Sequence, residues 1–293
     1  MTTVRHLTLA GLLLGVVAIW GWTFVAVKDA AGAYGVLPFL AVRFAIGAAC
    51  LGVVCARRVE WRTFRTGMVI GVVLGSAFLL QTLGLVRTSA SNTGLITGLF
   101  VVFAPLANRL LFGVRMPRVL WLAIALSLVG LAMLTGAGPA GVGLGELLTL
   151  GGAVLFGLHV ALLDRLSKGR QAVVLAFGQL AGAALLFAVC HSCAGEWHMP
   201  SARVWTALII TGVLASAAAY LIQTYVQQHL SATETAMIML AEPPFAVAFG
   251  CLLQGDHLTA VQMVGGAVLI GAMALAELYL QEPVSSAPGP ENA

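Results

Sequence analysis

The chain is 293 residues long, 60% hydrophobic and only 9% charged, with a mean hydropathy of +1.00, whereas an ordinary soluble domain is roughly 25% charged and 45–50% apolar. So few charges cannot cover the surface of a water-soluble fold of this size. The net charge of +4 does not mark a nucleic-acid binder, because no Lys/Arg stripe or stacking platform offers itself to a phosphate backbone.

A bilayer core of about 30 Å needs about 20 apolar helical residues, and the chain divides into segments of that size. In order, the pattern predicts spans near residues 7–27, 36–56, 67–86, 92–112, 118–136, 143–163, 171–190, 204–226, 233–253 and 258–280. The first follows Arg5 and leads to the small residues Ala30, Ala31 and Ala33, as a secretory signal would. Its apolar stretch of about 20 residues exceeds the 7–15 of a signal peptide, so it is read as a span. Beyond Glu282 the sequence has three prolines and no apolar run, which predicts a disordered cytoplasmic tail over 282–293.

Lys and Arg are unevenly shared between alternate loops. One set holds Arg5, then Arg57, Arg58, Arg62 and Arg65, then Arg115 and Arg118, then Arg165, Lys168 and Arg170, with Arg109 close by; the other holds Lys28, Arg87 and Arg203. By the positive-inside rule this predicts a multi-pass protein of the cell (inner) membrane with both termini cytoplasmic, hence an even number of spans. Cysteines number five, an odd total that argues against a disulfide framework. Cys190 and Cys193, with Glu196 and His198 nearby, are a weak metal signal without a second pair. No metal or other cofactor is expected.

The sequence repeats itself. A shift of 142 places Leu79, Gln81 and Thr82 on Leu221, Gln223 and Thr224, Ser89-Ala90 on Ser231-Ala232, Thr93 on Thr235, and Phe103-Ala104 on Phe245-Ala246. Leu110, Leu111 and Gly113 then fall on Leu252, Leu253 and Gly255; earlier, a shift of 136 matches Gly15 and Gly21 with Gly151 and Gly157, and Trp20 with Phe156. The expected fold is therefore an all-α membrane protein of ten transmembrane helices in two five-helix repeats, 1–138 and 139–281. With five spans each, the second repeat starts on the opposite face and is inverted, an architecture that lets one midplane site face either side of a bilayer.

Trp20-Gly21 and Lys28 in the first span, Arg43-Phe44 in the second and Thr88-Ser89-Ala90 opening the fourth resemble the drug/metabolite transporter superfamily, EamA type. So do Ser231-Ala232, Pro243-Pro244 and the ending Leu252-Leu253-Gln254-Gly255-Asp256. The resemblance covers about residues 7 to 280 and is greatest to the YddG-type exporters of aromatic and other amino acids; it implies a ten-helix carrier with both termini inside. The sequence departs from the family where an acidic residue usually follows spans four and nine: Val114 stands in the first half, Asp256 in the second. The first-half proline, Pro105, also lies a turn late.

Candidate substrate-binding residues are the polar and aromatic groups set among apolar ones. Arg43 lies about seven residues, roughly 10 Å, into its span, where a cation costs about 2.5–3.5 kcal/mol or more at the centre. It either forks onto a substrate carboxylate or caps neighbouring carbonyls. Glu242, about ten residues into the ninth span, precedes Pro243 and Pro244, which remove two backbone donors. It can hold an ammonium, a coupling proton or freed N–H groups. Ser216, Tyr220, Gln223 and Thr224 form one stripe of the eighth helix, and the equivalence of Gln81-Thr82 with Gln223-Thr224 suggests matching outer and inner gates, with Pro105, Pro243 and Pro244 as breaks beside them. His159, equivalent to Thr23, is a proton relay or a satisfied interior hydrogen-bonder. Trp20, Trp22, Phe24, Phe78, Phe100, Phe156 and Tyr220 are candidates for an aromatic cavity wall. Gly11-x-x-x-Gly15, Gly67-x-x-x-Gly71-x-x-x-Gly75 and Gly94-x-x-x-Gly98 predict tight helix packing.

These readings point to a secondary transporter that exports amphipathic metabolites, aromatic and other amino acids foremost, by alternating access. A multidrug or other metabolite carrier of the same fold, or a channel-like facilitator, stands as the alternative. No Walker-type motif is present for ATP, and no paired carboxylates, His-Glu-x-x-His motif or serine–histidine arrangement supports an intramembrane enzyme. The expected partners are a small-molecule substrate and the lipid bilayer.

Overall fold

In hydrocarbon every backbone N–H and C=O must find its partner inside the chain, and continuous helices meet that demand locally. A computed structural model describes residues 3–57, 59–113, 118–134, 142–195, 197–230, 235 and 238–280, and all regular structure among them is helical. In order the helices are α1 (Thr3–Tyr34), α2 (Val36–Cys55), α3 (Trp61–Leu85), α4 (Ala90–Thr97), α5 (Phe100–Phe112), α6 (Arg118–Leu134), α7 (Leu144–Leu166), α8 (Ala172–Ala194), α9 (Ala202–Gly212), α10 (Ala219–Gln227), α11 (Glu242–Gln254) and α12 (Ala260–Leu280). A π-helical segment, Val213–Ala218, joins α9 to α10. The expected tail, Arg58, Val114, Arg115, Glu196 and Ser231-Ala232 lie outside the described residues.

Among the described residues seven segments are long and apolar enough to cross a membrane, counting α4 with α5 and α9 with α10 as single segments; Arg118–Leu134 and Ala260–Leu275 are shorter apolar helices. The protein is thus all-α and membrane-embedded, with seven full-length candidates against the ten expected. The first helix is longer than its apolar run, 32 residues or about 48 Å at 1.5 Å per residue, because nothing stops it before Gly35, whose φ of 101° suits glycine alone.

Two predicted spans are broken. Span 92–112 is α4 plus α5 with a turn at Gly98-Leu99; the ninth span turns at Leu240-Ala241 before α11. The two turns are 142 residues apart, hence equivalent in the repeat. Pro243 and Pro244 occupy the first turn of α11, where missing N–H groups cost nothing; Gly98 makes the first-half turn and packs where a Cβ would strike Pro243. Pro105 sits inside α5 without interrupting it.

The halves interlock through equivalent contacts. A Cβ on Gly21 of α1 would strike Phe245 and Ala246 of α11, and one on Gly157 of α7 would strike Phe103 and Ala104 of α5; both pairs are related by the sequence repeat. Elsewhere α3 lies against α8 and α7, α2 against α8, and α6 against α12. The stripe Gly67, Gly71 and Gly75 meets the α8 backbone, and Gly94 and Gly98 meet Ala246 and Pro243 of α11. The expectation for Gly11 and Gly15 is not met: nothing lies within 4 Å of a Cβ at either, since both lie on the exposed face of α1, away from the buried Leu9, Leu13, Val16 and Val17.

Contacts between loops sort the helix ends into two groups. At one end Tyr34 donates to the His198 carbonyl (2.9 Å), Thr88 to Glu146, Arg203 to Asp29 (3.5 Å) and Gln254 to Asp29 (3.2 Å). Also at this end, Ser91 N and Oγ donate to Asp256 Oδ2 at 2.9 and 2.7 Å. The Asp256 carboxylate therefore serves the α4 N-terminus. At the other end Gln228 donates to the carbonyls of Ser167 (2.8 Å) and Arg170 (3.0 Å), Arg5 reaches Tyr225 (3.3 Å), and Arg165 lies over Phe112. The helices run from one group to the other.

Gly71→Ala places a Cβ against the Gln179 backbone and is expected to destabilise the protein by about 1–3 kcal/mol, lowering the thermal midpoint in detergent. Gly11→Ala, with open space, is expected to leave it unchanged or raise it slightly.

Candidate functional site

A cavity in the bundle collects side chains from α1, α2, α3, α4, α5, α7, α10, Met239 and α11. Its walls are Trp20, Thr23, Phe24, Val27, Arg43, Phe78, Gln81, Thr82, Leu85, Thr97, Phe100, Phe156, His159, Val160, Tyr220, Gln223, Met239 and Glu242. All but Val160 are buried in the bundle.

The eleven residues expected to bind substrate, Trp20, Thr23, Phe24, Arg43, Phe78, Gln81, Phe100, His159, Tyr220, Gln223 and Glu242, all reach this cavity. Of the residues expected at gates, Gln81, Thr82 and Gln223 line it. Thr224 does not: it accepts from Gln179 Nε2 at 3.2 Å. Pro105, Pro243 and Pro244 are off the wall, and so is Trp22 among the aromatic candidates. Val27, Leu85, Thr97, Val160 and Met239 also line the cavity and were not among the candidates, since nothing in an apolar or hydroxyl residue singles it out before its neighbours are known. Val160 is the repeat partner of the candidate Phe24, and that relation was an available signal.

The aromatic wall is continuous. Trp20 and Tyr220 rings are 5.4 Å apart, Phe78 meets Phe156 edge-on at 5.0 Å and Phe44 at 5.0 Å, and Tyr220 lies 6.2 Å from Phe78. Such tilted and edge-on pairs are favourable electrostatically. The Trp20 indole donates to the Ala215 carbonyl at 3.0 Å. Ala215 belongs to the π turns, whose wider ladder leaves carbonyls accessible to side chains.

Arg43 is 1% exposed. Its Nε donates to Ser216 Oγ at 3.0 Å, and its guanidinium lies 5.2 Å from the centre of the Phe78 ring and 5.5 Å from that of Phe44. Its Nη2 is buried without a partner. Glu242 is 6% exposed, first residue of α11, and among the described residues no ion pair joins it to Arg43. Its place at a helix N-terminus favours negative charge.

On the far wall His159 Nε2 lies 2.8 Å from Gln179 Oε1, and Gln179 continues the chain to Thr224. Gln179 is fully buried and ties α7 to α8 and α10. Gln81 donates to Thr97 Oγ1 at 3.0 Å, whereas Gln223 Oε1 is buried and unpaired. The expected polar stripe of the eighth helix is divided: Ser216 faces Arg43, Tyr220 and Gln223 face the cavity, and Thr224 faces Gln179. The π segment shifts the phase of Ser216 relative to the other three, which all lie on the regular helix α10.

Gln179→Leu leaves His159 and Thr224 without their shared partner. The expected cost is about 1–3 kcal/mol, read as a lower melting midpoint.

Comparisons with known proteins agree with this architecture. A family model described as the EamA-like transporter family matches residues 8–136 and 143–278, once in each half. The chain is 31% identical over 273 residues, 92% of its own length and 86% of the relative's, to an uncharacterized transporter of Archaeoglobus fulgidus. A solved crystal structure of a protein 21% identical superimposes with a TM-score of 0.66, over 96% of this chain and 99% of that one; it bears on the fold alone.

Proposed function

The chain belongs to the EamA-like transporter family, and from that premise we propose that it is a secondary carrier that exports small amphipathic metabolites, aromatic and other amino acids foremost, by alternating access. The observation that carries the substrate reading is a guanidinium and a carboxyl group, Arg43 and Glu242, buried in one aromatic-walled cavity with no ion pair between them among the described residues. An uncompensated charge in a low-dielectric interior costs several kcal/mol. A zwitterion offsets both costs at once, its carboxylate on the guanidinium and its ammonium on the carboxylate or over a ring face. Trp20, Phe24, Phe78, Phe156 and Tyr220 then receive the side chain.

The transport cycle rests on the repeat. Ten helices in two inverted sets of five fit the two matched regions, the equivalent turns before α5 and α11, and the alternation of helix ends. Turns in broken helices are tolerated at membrane depth where they face a cavity, and Phe100 and Glu242, which follow the two turns, both line this one. Gln81-Thr82 and Gln223-Thr224 belong to the two gates. The bundle end bearing Arg57, Arg62, Arg65, Arg118, Arg165, Lys168 and Arg170 is the cytoplasmic face, opposite Lys28, Arg87 and Arg203, which puts both termini inside the cell membrane.

Uptake of labelled amino acids and cationic drugs into proteoliposomes, with and without an imposed pH gradient, tests the reading. Saturable amino-acid flux with counterflow is expected, reduced more than about tenfold by Arg43→Gln or Glu242→Gln, a loss of at least ~1.4 kcal/mol. Drug flux without any amino-acid flux would replace the substrate class, and unsaturable flux would replace the carrier with a channel. Gln81→Leu and Gln223→Leu are each expected to slow transport; wild-type rates in both would remove the gates.

A further inference from the structure

The cavity is built from repeat-related pairs: Trp20 with Phe156, Thr23 with His159, Phe24 with Val160, Phe78 with Tyr220, Gln81 with Gln223, and Phe100 with Glu242. A site of this kind, if fully symmetric, would accept a substrate in two opposite orientations. Something must choose one.

Arg43 is repeat-equivalent to Gln179 at the shift of 136, and packing gives independent support. A Cβ on Gly212 would meet the Arg43 carbonyl, and one on Gly71 the Gln179 carbonyl. Likewise a Cβ on Gly47 would meet the side chain of Ser216, and one on Gly75 would meet Ala183, with Gly47 and Ala183 again 136 apart. Ser216 therefore corresponds to Gly75, and Gly212 to Gly71, at a shift of 141, whereas Tyr220 and Gln223 correspond to Phe78 and Gln81 at 142. The single inserted residue falls within the π segment Val213–Ala218, as a one-residue insertion in a helix should; α3 has no such segment.

The inserted residue follows Ser216, and the contacts beside it have no counterpart in the other half. Arg43 Nε donates to the Ser216 hydroxyl at 3.0 Å, and the Trp20 indole donates to the Ala215 carbonyl of the π segment at 3.0 Å. The equivalent of Ser216 is Gly75, with no side chain to offer, and Gln179 turns instead to His159 and Thr224. Among the described residues the Ser216 bond is the one hydrogen bond of the Arg43 side chain, and Nη2 remains buried and unpaired. With Nε occupied and the plane held by Phe44 and Phe78, the end of the fork bearing the two Nη atoms is left for a ligand with two acceptor oxygens.

We propose that Ser216, which stands where the other half has Gly75, is a positioning residue that presents the Nη end of Arg43 to the substrate carboxylate and so fixes a single substrate orientation. The proposal rests on the zwitterion reading of the cavity. Ser216 acts through Arg43, and its loss weakens carboxylate recognition without altering recognition of the rest of the substrate.

Equilibrium binding of L-phenylalanine and of 2-phenylethylamine, which lacks the carboxylate, to the purified protein separates the possibilities. Wild type is expected to favour phenylalanine. Ser216→Ala is expected to weaken phenylalanine binding about tenfold while changing phenylethylamine binding less than about twofold, and to have no further effect in an Arg43→Gln background. Ser216→Thr, which keeps the hydroxyl, is expected to retain more of the preference than Ser216→Ala. A Ser216→Ala variant with the wild-type preference, or one that weakens both ligands alike or adds its full effect to Arg43→Gln, overturns the positioning role alone. A wild type that binds the two probes equally, or binds neither, overturns the carboxylate reading and this proposal with it.

Discussion

A backbone carbonyl or N–H inside a membrane has no water to turn to, and this constraint shapes the molecule. Helices satisfy it locally, which is why the described regular structure is helical. Departures from the ladder are therefore informative, and the chief ones lie around the cavity. The turns at Gly98-Leu99 and Leu240-Ala241 precede the cavity residues Phe100 and Glu242, and the π turns present Ala215 and Ser216 to Trp20 and Arg43. Freed polar groups are admitted where side chains can use them.

Between these departures, close backbone approach holds the halves together. Without a hydrophobic driving force between helices in lipid, association depends on van der Waals fit, and glycine permits it. Gly21 against Phe245-Ala246 and Gly157 against Phe103-Ala104 are the same contact made twice, each joining the first helix of one half to the broken helix of the other. Each half thus depends on its counterpart, and the cavity lies where the two meet.

Within this near-symmetric frame the polar groups are distributed unequally. Glu242 faces the cavity where its partner is Phe100, and Arg43 does so where its partner, Gln179, is drawn into a bond with His159. At the bundle end Asp256 serves the α4 N-terminus, while the corresponding position in the first half is Val114.

The sequence by itself determined the all-helical membrane class, the duplication and most of the polar and aromatic residues of the cavity wall. Hydropathy follows directly from composition, the repeat survives as identities at fixed shifts, and a polar or aromatic residue in hydrocarbon stands out wherever it points. Other features required the tertiary structure. Gly11-x-x-x-Gly15 reads like Gly67-x-x-x-Gly71, but only the second has a neighbour close enough to use it, and a spacing cannot say what lies opposite. Gln179 is one polar residue in an apolar span, and its role comes from its place between His159 and Thr224, on helices distant in sequence. The stripe from Ser216 to Thr224 presumed a regular helix, and the change from a shift of 141 to 142 acquired meaning only when the π segment supplied a place for the extra residue. Local pattern reports which residues must avoid lipid; which of them meet is decided by the packing of helices distant in sequence.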